Sequence, residues 1–225
     1  MPVLPACLCF DKYRMFMFLK KNGVPTIQTY GSFNEFSQDY NQQKIDFPVF
    51  VKPRNGSGSV GARKVSNLET LKRLTDEDSS LIIQEYMNGL DLDADVYVDA
   101  LSREVVSAFS KKKISTTIGG ANKTISFKDD KLFGFIRQIA SLLELYGPND
   151  MDFFYKDGKY YLSEINPRFG GAYLHAYGAG VDFIKLIENN INHKENAQNI
   201  GNYDNDITMM MFDSVVIKRS EELIR

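Results

Sequence analysis

Phe47-Pro48-Val49-Phe50-Val51-Lys52-Pro53-Arg54-Asn55-Gly56-Ser57-Gly58-Ser59-Val60-Gly61-Ala62-Arg63-Lys64-Val65 runs an apolar strand pattern into a lysine, a glycine-rich loop and a second short strand. Gly56 to Gly61 matches G-x-G-x-x-G, and acids follow at Asp76, Glu77 and Asp78. A dinucleotide loop passes from a strand directly into a helix, whose N-terminus holds the pyrophosphate. Here Ala62 to Val65 reads as a strand, so the context excludes that fold. No Gly-Lys-Ser/Thr follows, which excludes a Walker A loop. Protein kinases carry their lysine after the glycines, whereas Lys52 stands before them. A strand, a lysine and a glycine hairpin still form a phosphate grip, because backbone N–H groups can point at oxygens where small residues permit close approach. Lys52 would supply a fixed positive charge. The same residues also fit a flexible surface hairpin beside a satisfied lysine.

Outward from this stretch, Asp11 is placed to cap a helix running to Asn22, stopped by Gly23 and Pro25. Ser66 with Glu69 reads as a capping box for a helix bearing Leu68, Leu71 and Leu74. Leu81 to Tyr86 reads as a strand ending at Asn88-Gly89. Asp93 to Asp99 and Glu104 to Lys111 read as a hairpin. An amphipathic helix spans Asp130 to Tyr146, with Leu132, Phe135, Ile136, Ile139, Leu142 and Leu143 inward, and Gly147-Pro148 ends it. Met151 to Tyr155 and Lys159 to Glu164 form another hairpin, Val181 to Ile191 a last helix, and Ile207 to Ile217 a strand. This order, with few adjacent βαβ units, is α+β.

The bulk numbers exclude other classes. With 225 residues, 43% hydrophobic, 25% charged and a net charge of -2, nothing electrostatic points to nucleic acid or an anionic membrane. No apolar run approaches the roughly 20 residues that span a bilayer. Met1 to Pro5 lacks the features of a secretory signal. Cys7 and Cys9 suit neither a disulfide framework nor a zinc site and read as reduced thiols, so a cytoplasmic protein is expected.

The second chemical constellation is Asp152 with Glu164-Ile165-Asn166-Pro167-Arg168. Glu164 and Asn166, two apart on a strand, leave the same face. A three-residue loop, Lys156-Asp157-Gly158, would pair Asp152 with Leu162 and set it diagonally beside Glu164. A two-residue Asp157-Gly158 turn would send Asp152 to the other face, so shared chemistry requires the longer loop. Two carboxylates and an amide oxygen make a hard set suited to magnesium. Arg168 could stabilise a transferring phosphoryl group. A generic D…E-x-N pattern also fits a solvated surface hairpin.

Together, these segments resemble the ATP-grasp superfamily, and within it the carbamoyl-phosphate-synthase large-subunit-like branch. The matching pieces are Asp11-Lys12 with Gly23-Val24-Pro25-Thr26, the Phe47 to Gly61 stretch, Ile83-Gln84-Glu85-Tyr86-Met87-Asn88-Gly89, and Glu164-Ile165-Asn166-Pro167-Arg168-Phe169-Gly170-Gly171. The resemblance implies two α+β subdomains with a nucleotide cleft between them. Residues 1–85 would be subdomain A with the entry helix and glycine lid, 86–195 subdomain B with the metal hairpin, and 196–225 a tail with a strand. It implies that Lys12 and Lys52 contact ATP phosphates beneath a lid containing Gly56, Ser57, Gly58 and Gly61. Glu85, Tyr86 and Met87 would read the adenine edge. Asp91 stands where the family usually places a ribose-binding glutamate. Asp152, Glu164 and Asn166 would hold magnesium, or manganese in its place, and Arg168 would meet the transferring phosphate. Lys111 and Lys113 share one strand face and fit either phosphate contact or solvation, and His175 is expected to be structural.

The implied activity is phosphorylation of a carboxylate or carbonate-like substrate to an acyl-phosphate for attack by an amine or ammonia. The alternative is an ATP-binding half of a split synthetase or a nucleotide-responsive regulator. Family members usually carry a Rossmann-like domain before the Asp-Lys helix, and ten residues precede Asp11. A partner chain or self-association is therefore expected. Tyr13, Met15, Phe16, Met17, Phe18 and Leu19 load that helix beyond one face.

Overall fold

A computed structural model of the chain describes residues 8–56, 61–117, 120–212 and 215–219. Ser57 and Gly58 of the expected lid lie outside the described residues. Helix α1 (Lys12–Lys21) begins as its cap dictates, with the Asp11 carboxylate accepting the Arg14 N–H at 3.0 Å. Its last turn carries Lys20 and Lys21, which suits the helix dipole, and Gly23 follows at φ +68°.

Four elements lie where the hydrophobic pattern showed none: β1 (Thr29–Tyr30), α2 (Phe33–Asn41) and, further along, a strand at Gly120–Phe127 and a short helix at Tyr173–Gly178. A local signal for α2 was present. Ser32 accepts the Glu35 N–H at 3.2 Å, and Glu35 reaches back to the Gly31 N–H at 2.9 Å. Gly31 is required there, because a Cβ would stand 2.8 Å from the Tyr13 ring. Strand β2 (Val49–Pro53), β3 (Arg63–Val65), helix α3 (Leu68–Glu77) and β4 (Leu81–Glu85) follow. The cap of α3 is Asn67 rather than Ser66, with its amide oxygen accepting the Thr70 N–H at 2.8 Å. The four strands form a sheet in the order β1-β4-β2-β3. One face buries Val49, Val51 and Ile83 against Phe36, Leu71 and Leu74.

The second sheet contains β5 (Leu90–Val98), β6 (Val105–Thr117), β7 (Gly120–Phe127), β8 (Gly147–Lys156), β9 (Lys159–Asn166) and β10 (Thr208–Met210), in the order β10-β7-β6-β5-β8-β9. Every pairing in it is antiparallel. Strand β7 has no apolar alternation because its buried positions include Thr124 and Ser126, each satisfied by a hydrogen bond. Helix α4 (Asp130–Leu142) ends a turn before Tyr146, capped at its start by Asp129. Helices α5 (Tyr173–Gly178) and α6 (Phe183–Ile191) follow the second sheet's hairpin, α6 starting at an Asp182 cap. The expected terminal strand shortens to β10.

Strand β5 reads Leu90-Asp91-Leu92-Asp93-Ala94-Asp95-Val96, and the period of two sorts it cleanly. Leu92, Ala94 and Val96 enter a core with Ile136, Ile139, Met151, Phe153, Leu162 and Ile165. Asp91, Asp93 and Asp95 face the other way. Met15 and Leu19 of α1 join this second core, so the entry helix braces the larger sheet. Among the described residues, no helix is long and apolar enough to cross a membrane.

Candidate functional site

The unshared faces of the two sheets enclose a cleft of 1170 Å³. From the first sheet, Phe50 and Lys52 of β2 alternate with buried Val49 and Val51 and so face the cleft. Among the described residues the Lys52 ammonium makes no side-chain hydrogen bond or ion pair. Burial pushes its ammonium below the usual lysine range, against the pull of Glu164 and with the push of Lys12. Lys12 enters from α1 and hydrogen-bonds the Gly56 carbonyl, while its ammonium stands 3.8 Å from Glu164 Oε2. The Asp11 carboxylate receives Arg54 in two-pronged fashion, Nε and Nη2 both at 2.8 Å. Residues 11 and 12 thus fasten the stem of the glycine loop. Gly56 lines the cleft at φ +97°; Gly61, at φ +76°, packs instead by the Pro53 ring.

Part of the lining is Ile27, Phe50, Glu85, Tyr86, Met87 and Phe154, a mostly apolar slot beside the connection from β4 to β5. Glu85 pairs with Lys156 at 3.2 Å, and the Lys64 ammonium lies 4.2 Å from the Tyr86 ring centre. Gln84, which sequence reasoning passed over, also lines the cleft. Its orientation follows from a relay. The Thr29 hydroxyl donates to the Ile27 carbonyl at 2.8 Å, so its oxygen can only accept, and Gln84 Nε2 donates to it at 3.0 Å. The Gln84 carbonyl oxygen is thereby the free end of the side chain.

The opposite wall is a grid of charge on the second sheet. Lys111, Asp93, Asp152 and Glu164 lie directly opposite one another across β6, β5, β8 and β9. The next row is Phe109, Asp95, Asp150 and Asn166. The hairpin that aligns Asp152 with Glu164 differs from the expected one. Lys156 pairs with Lys159, so the turn is the two-residue Asp157-Gly158, at φ +51° and +77°. Phe153 pairs with Leu162, yet Asp152 pairs with Glu164, leaving Ser163 as the extra residue of a β-bulge. The bulge shifts the alternation by one, which keeps Leu162 and Ile165 in the core and turns Glu164 into the cleft. The three-residue loop is thus replaced by a bulge with the same consequence for the acids.

Lys113 bridges two of these acids, bonding Asp152 and standing 3.0 Å from Asp91. Burial raises the Asp91 carboxyl, partly offset by Lys113. Lys111 is fully buried between Asp95, to which it bonds, and Asp93 at 3.3 Å, so it does not reach the cleft. Asp93, Asp95 and Asp150 hold carboxylate oxygens within 4.8 Å of one another. Burial, then Asp93 and Asp152, push the Asp150 carboxyl up to about 9. Gly170 closes over this group, since a Cβ there would meet Asp150 Oδ1 at 2.7 Å and Asp95 Oδ1 at 2.8 Å. Neither the acid cluster nor its glycine cover was anticipated; the Asp91-x-Asp93-x-Asp95 spacing was the available signal. Arg168 is half-exposed at the cleft rim, donating to the Phe169 carbonyl at 2.7 Å and lying 3.4 Å from Asp150. Asn166 directs its amide nitrogen at Asp150, 3.4 Å away, which leaves its carbonyl oxygen for another partner. His175 is buried, its ring nitrogens engaged by Thr124 at 2.7 Å and the Ile207 carbonyl at 3.1 Å, a structural arrangement.

The cleft therefore gathers Lys12, Lys52, Gly56, Glu85, Tyr86, Met87, Asp91, Asp152, Glu164, Asn166 and Arg168 around one space. A family model described as ATP-grasp domain matches residues 9–172. The D-alanine–D-alanine ligase of Ruminiclostridium cellulolyticum is 25% identical over 219 residues, covering 82% of this chain and 58% of that protein. The D-alanine–D-alanine ligase of Lactococcus lactis is 27% identical over 73% of this chain and 53% of its own length. The chain thus spans about half the length of these curated relatives. Among solved structures, the biotin carboxylase domain of Hydrogenobacter thermophilus 2-oxoglutarate carboxylase superposes with a TM-score of 0.74 at 18% identity, over 89% of this chain and 49% of that one. An L-amino acid ligase from Bacillus licheniformis does so with 0.61 at 19% identity, over 84% and 49%. At these identities the structural likeness is one of fold: two α+β subdomains flanking a cleft.

Proposed function

This chain belongs to the ATP-grasp domain family, and from that premise we propose that it binds magnesium-ATP in the cleft and phosphorylates a carboxylate or carbonate-like acceptor. The acyl-phosphate so formed is then attacked by an amine or ammonia, as in the carbamoyl-phosphate-synthase-like branch. The observation that carries this reading is the facing of Asp152 and Glu164 by Lys52 of the opposite sheet and Lys12 of the entry helix around one cleft.

The residues present fit a hard dication. Two carboxylates are aligned across a strand pair, the Asn166 amide oxygen is free to join them, and ammonium groups already stand against both acids. Asp152, Glu164 and Asn166 would hold magnesium, or manganese, which would neutralise charge on the transferring phosphates. Lys12 and Lys52 would meet phosphate oxygens, with Gly56, Ser57, Gly58 and Gly61 closing over them. Glu85 to Met87 would present backbone to the adenine edge, and Asp91 would accept from the ribose. An acceptor oxygen attacks the terminal phosphorus as the bond to ADP breaks, and Arg168 balances charge on the moving group. Amine nitrogen then attacks the acyl carbon and inorganic phosphate leaves. The chain's contribution is positioning and electrostatic stabilisation. Completion of the acceptor site by a partner chain or by self-association belongs to the same proposal, supported by Phe10 and Met17, 62% and 49% exposed near and on α1. Sedimentation of the purified chain with and without acceptor checks it.

The deciding assay is phosphate release from magnesium-ATP across a panel of carboxylates and amines. Release that needs both acceptors supports the ligase reading. ATP binding without release under any pairing favours a binding or regulatory chain. Glu164→Gln removes one metal-directed charge and is expected to abolish turnover while leaving the melting temperature near that of the parent. Full activity in that variant would overturn the metal assignment.

A further inference from the structure

Among the described residues, each lining carboxylate of the cleft other than the proposed metal and ribose acids already has a cation within 3.4 Å. Glu85 has Lys156 at 3.2 Å, Asp93 shares Lys111 with Asp95, and Asp150 lies 3.4 Å from Arg168. The proposed metal acids are held differently. Lys113 reaches from β6 past Asp91 to bond Asp152 on β8, and Lys12 stands against Glu164 while bonding the lid stem at Gly56. Lys113 is nearly enclosed, its side chain 13% exposed, so solvent screens its charge little where it stands. A dication at Asp152 would repel the lysine already there, and the burial of that ammonium leaves the repulsion poorly screened.

We propose that Lys113 stands in for the metal at Asp152 until nucleotide arrives, and so couples metal binding to nucleotide binding. The inference rests on the function proposed above. Metal alone must evict Lys113 into a cleft whose other carboxylates are already paired. Nucleotide supplies both what the evicted lysine needs, an anionic phosphate chain, and what releases it from its second partner, a ribose for Asp91. Each ligand then removes the other's cost, and linkage requires the effect to be mutual. Lys113 is in this sense a positioning residue, acting through Asp152.

The test uses the full chain with Mn²⁺ alone as the probe, followed by its electron paramagnetic resonance, and ADP titrated separately in chelator and in saturating Mg²⁺. For the parent, Mn²⁺ alone is expected to bind weakly, and Mg²⁺ to tighten ADP by about tenfold or more, within the usual span of coupling. Lys113→Met should bind Mn²⁺ alone about tenfold more tightly than the parent, and its Mg²⁺-dependent gain for ADP should shrink to about threefold or less. Adding Asp152→Asn to Lys113→Met should erase the gained Mn²⁺ affinity, and Lys113→Arg should behave as the parent. Mn²⁺ affinity in Lys113→Met equal to or weaker than the parent's overturns the proposal. Should Lys113→Met fail to fold, Lys113→Gln, which keeps a polar stem, carries the same comparison. A parent that never binds ADP would instead sink the proposed function, while the Mn²⁺ comparison would still decide the role of Lys113.

Discussion

Asp150 and Asp152 leave β8 on the same face two residues apart, yet they sit in different electrostatic settings. Asp152 has an ammonium bonded to it, whereas Asp150 shares a buried corner with Asp93 and Asp95 and meets Arg168 only at 3.4 Å. Like charges so placed cannot all ionise, and the carboxyl pushed up to about 9 holds its proton at neutral pH. Asp150→Asn therefore replaces one neutral group by another of nearly equal shape. Its melting temperature at pH 7 is expected to stay within about 3 °C of the parent, the shift that about 1 kcal/mol produces in a domain of this size. A drop of about 10 °C in a calorimetric scan would show that the corner needs a charged Asp150.

Among the elements, the β8–β9 hairpin and the stem of the glycine loop do most to shape the cleft. The hairpin achieves alignment by a bulge at Ser163, and the sequence carried a trace of it: Leu162 and Ile165, both buried, are three apart where a regular strand would space core residues by two. The loop stem is tied at Arg54, whose two nitrogens grip Asp11 while its backbone N–H bonds Ser80 and its carbonyl accepts from Lys12. Removing the guanidinium leaves the strand intact and frees the stem. Arg54→Ala is expected to weaken ATP binding about tenfold, near 1.4 kcal/mol, with a small effect on stability. Arg54→Lys should recover little, because an ammonium cannot make the paired contact. Titration calorimetry with ATP measures both, and unchanged affinity in Arg54→Ala would separate the stem from nucleotide binding.

For the whole molecule, one carboxylate ties three distant parts together. Asp99, after β5, accepts from Leu101 and Ser102 in its own turn, from Asn190 on α6, and from the backbone and side chain of Asn196. Burial alone would raise its carboxyl, but Asn190 and then these N–H groups hold it well below the usual range. A folded pKa depressed below the unfolded one gives stability that is present above about pH 3.9 and is lost as pH falls beneath that value. Asp99→Asn should be clearly less stable at pH 7, with the gap to the parent closing towards pH 2 in urea unfolding; a constant gap would remove Asp99 from the acid response. Cleft ligation should act on the same global equilibrium. Magnesium-ATP at 100 times its dissociation constant is expected to add about 2.7 kcal/mol, read as a rise in melting temperature. No rise at millimolar ligand would count against nucleotide binding altogether.

What the sequence alone determined is the part encoded locally. The apolar run at β2, the cap at Asp11, and the strand–lysine–glycine order specify an α+β chain with phosphate- and metal-type residues in a fixed succession. Each of those signals is contained within a few residues, where period and capping chemistry act. What the tertiary structure decided is which side chains share a space. The two-residue turn with its bulge, the withdrawal of Lys111 into Asp93 and Asp95, the Ile27–Thr29–Gln84 relay, and the grip of Lys12 on Gly56 all join residues that pattern cannot relate. Elements with polar inward positions, such as β7 with Thr124 and Ser126, were hidden for the same reason. Their burial is compensated by hydrogen bonds to partners distant in the chain, and only the assembled fold brings those partners within reach.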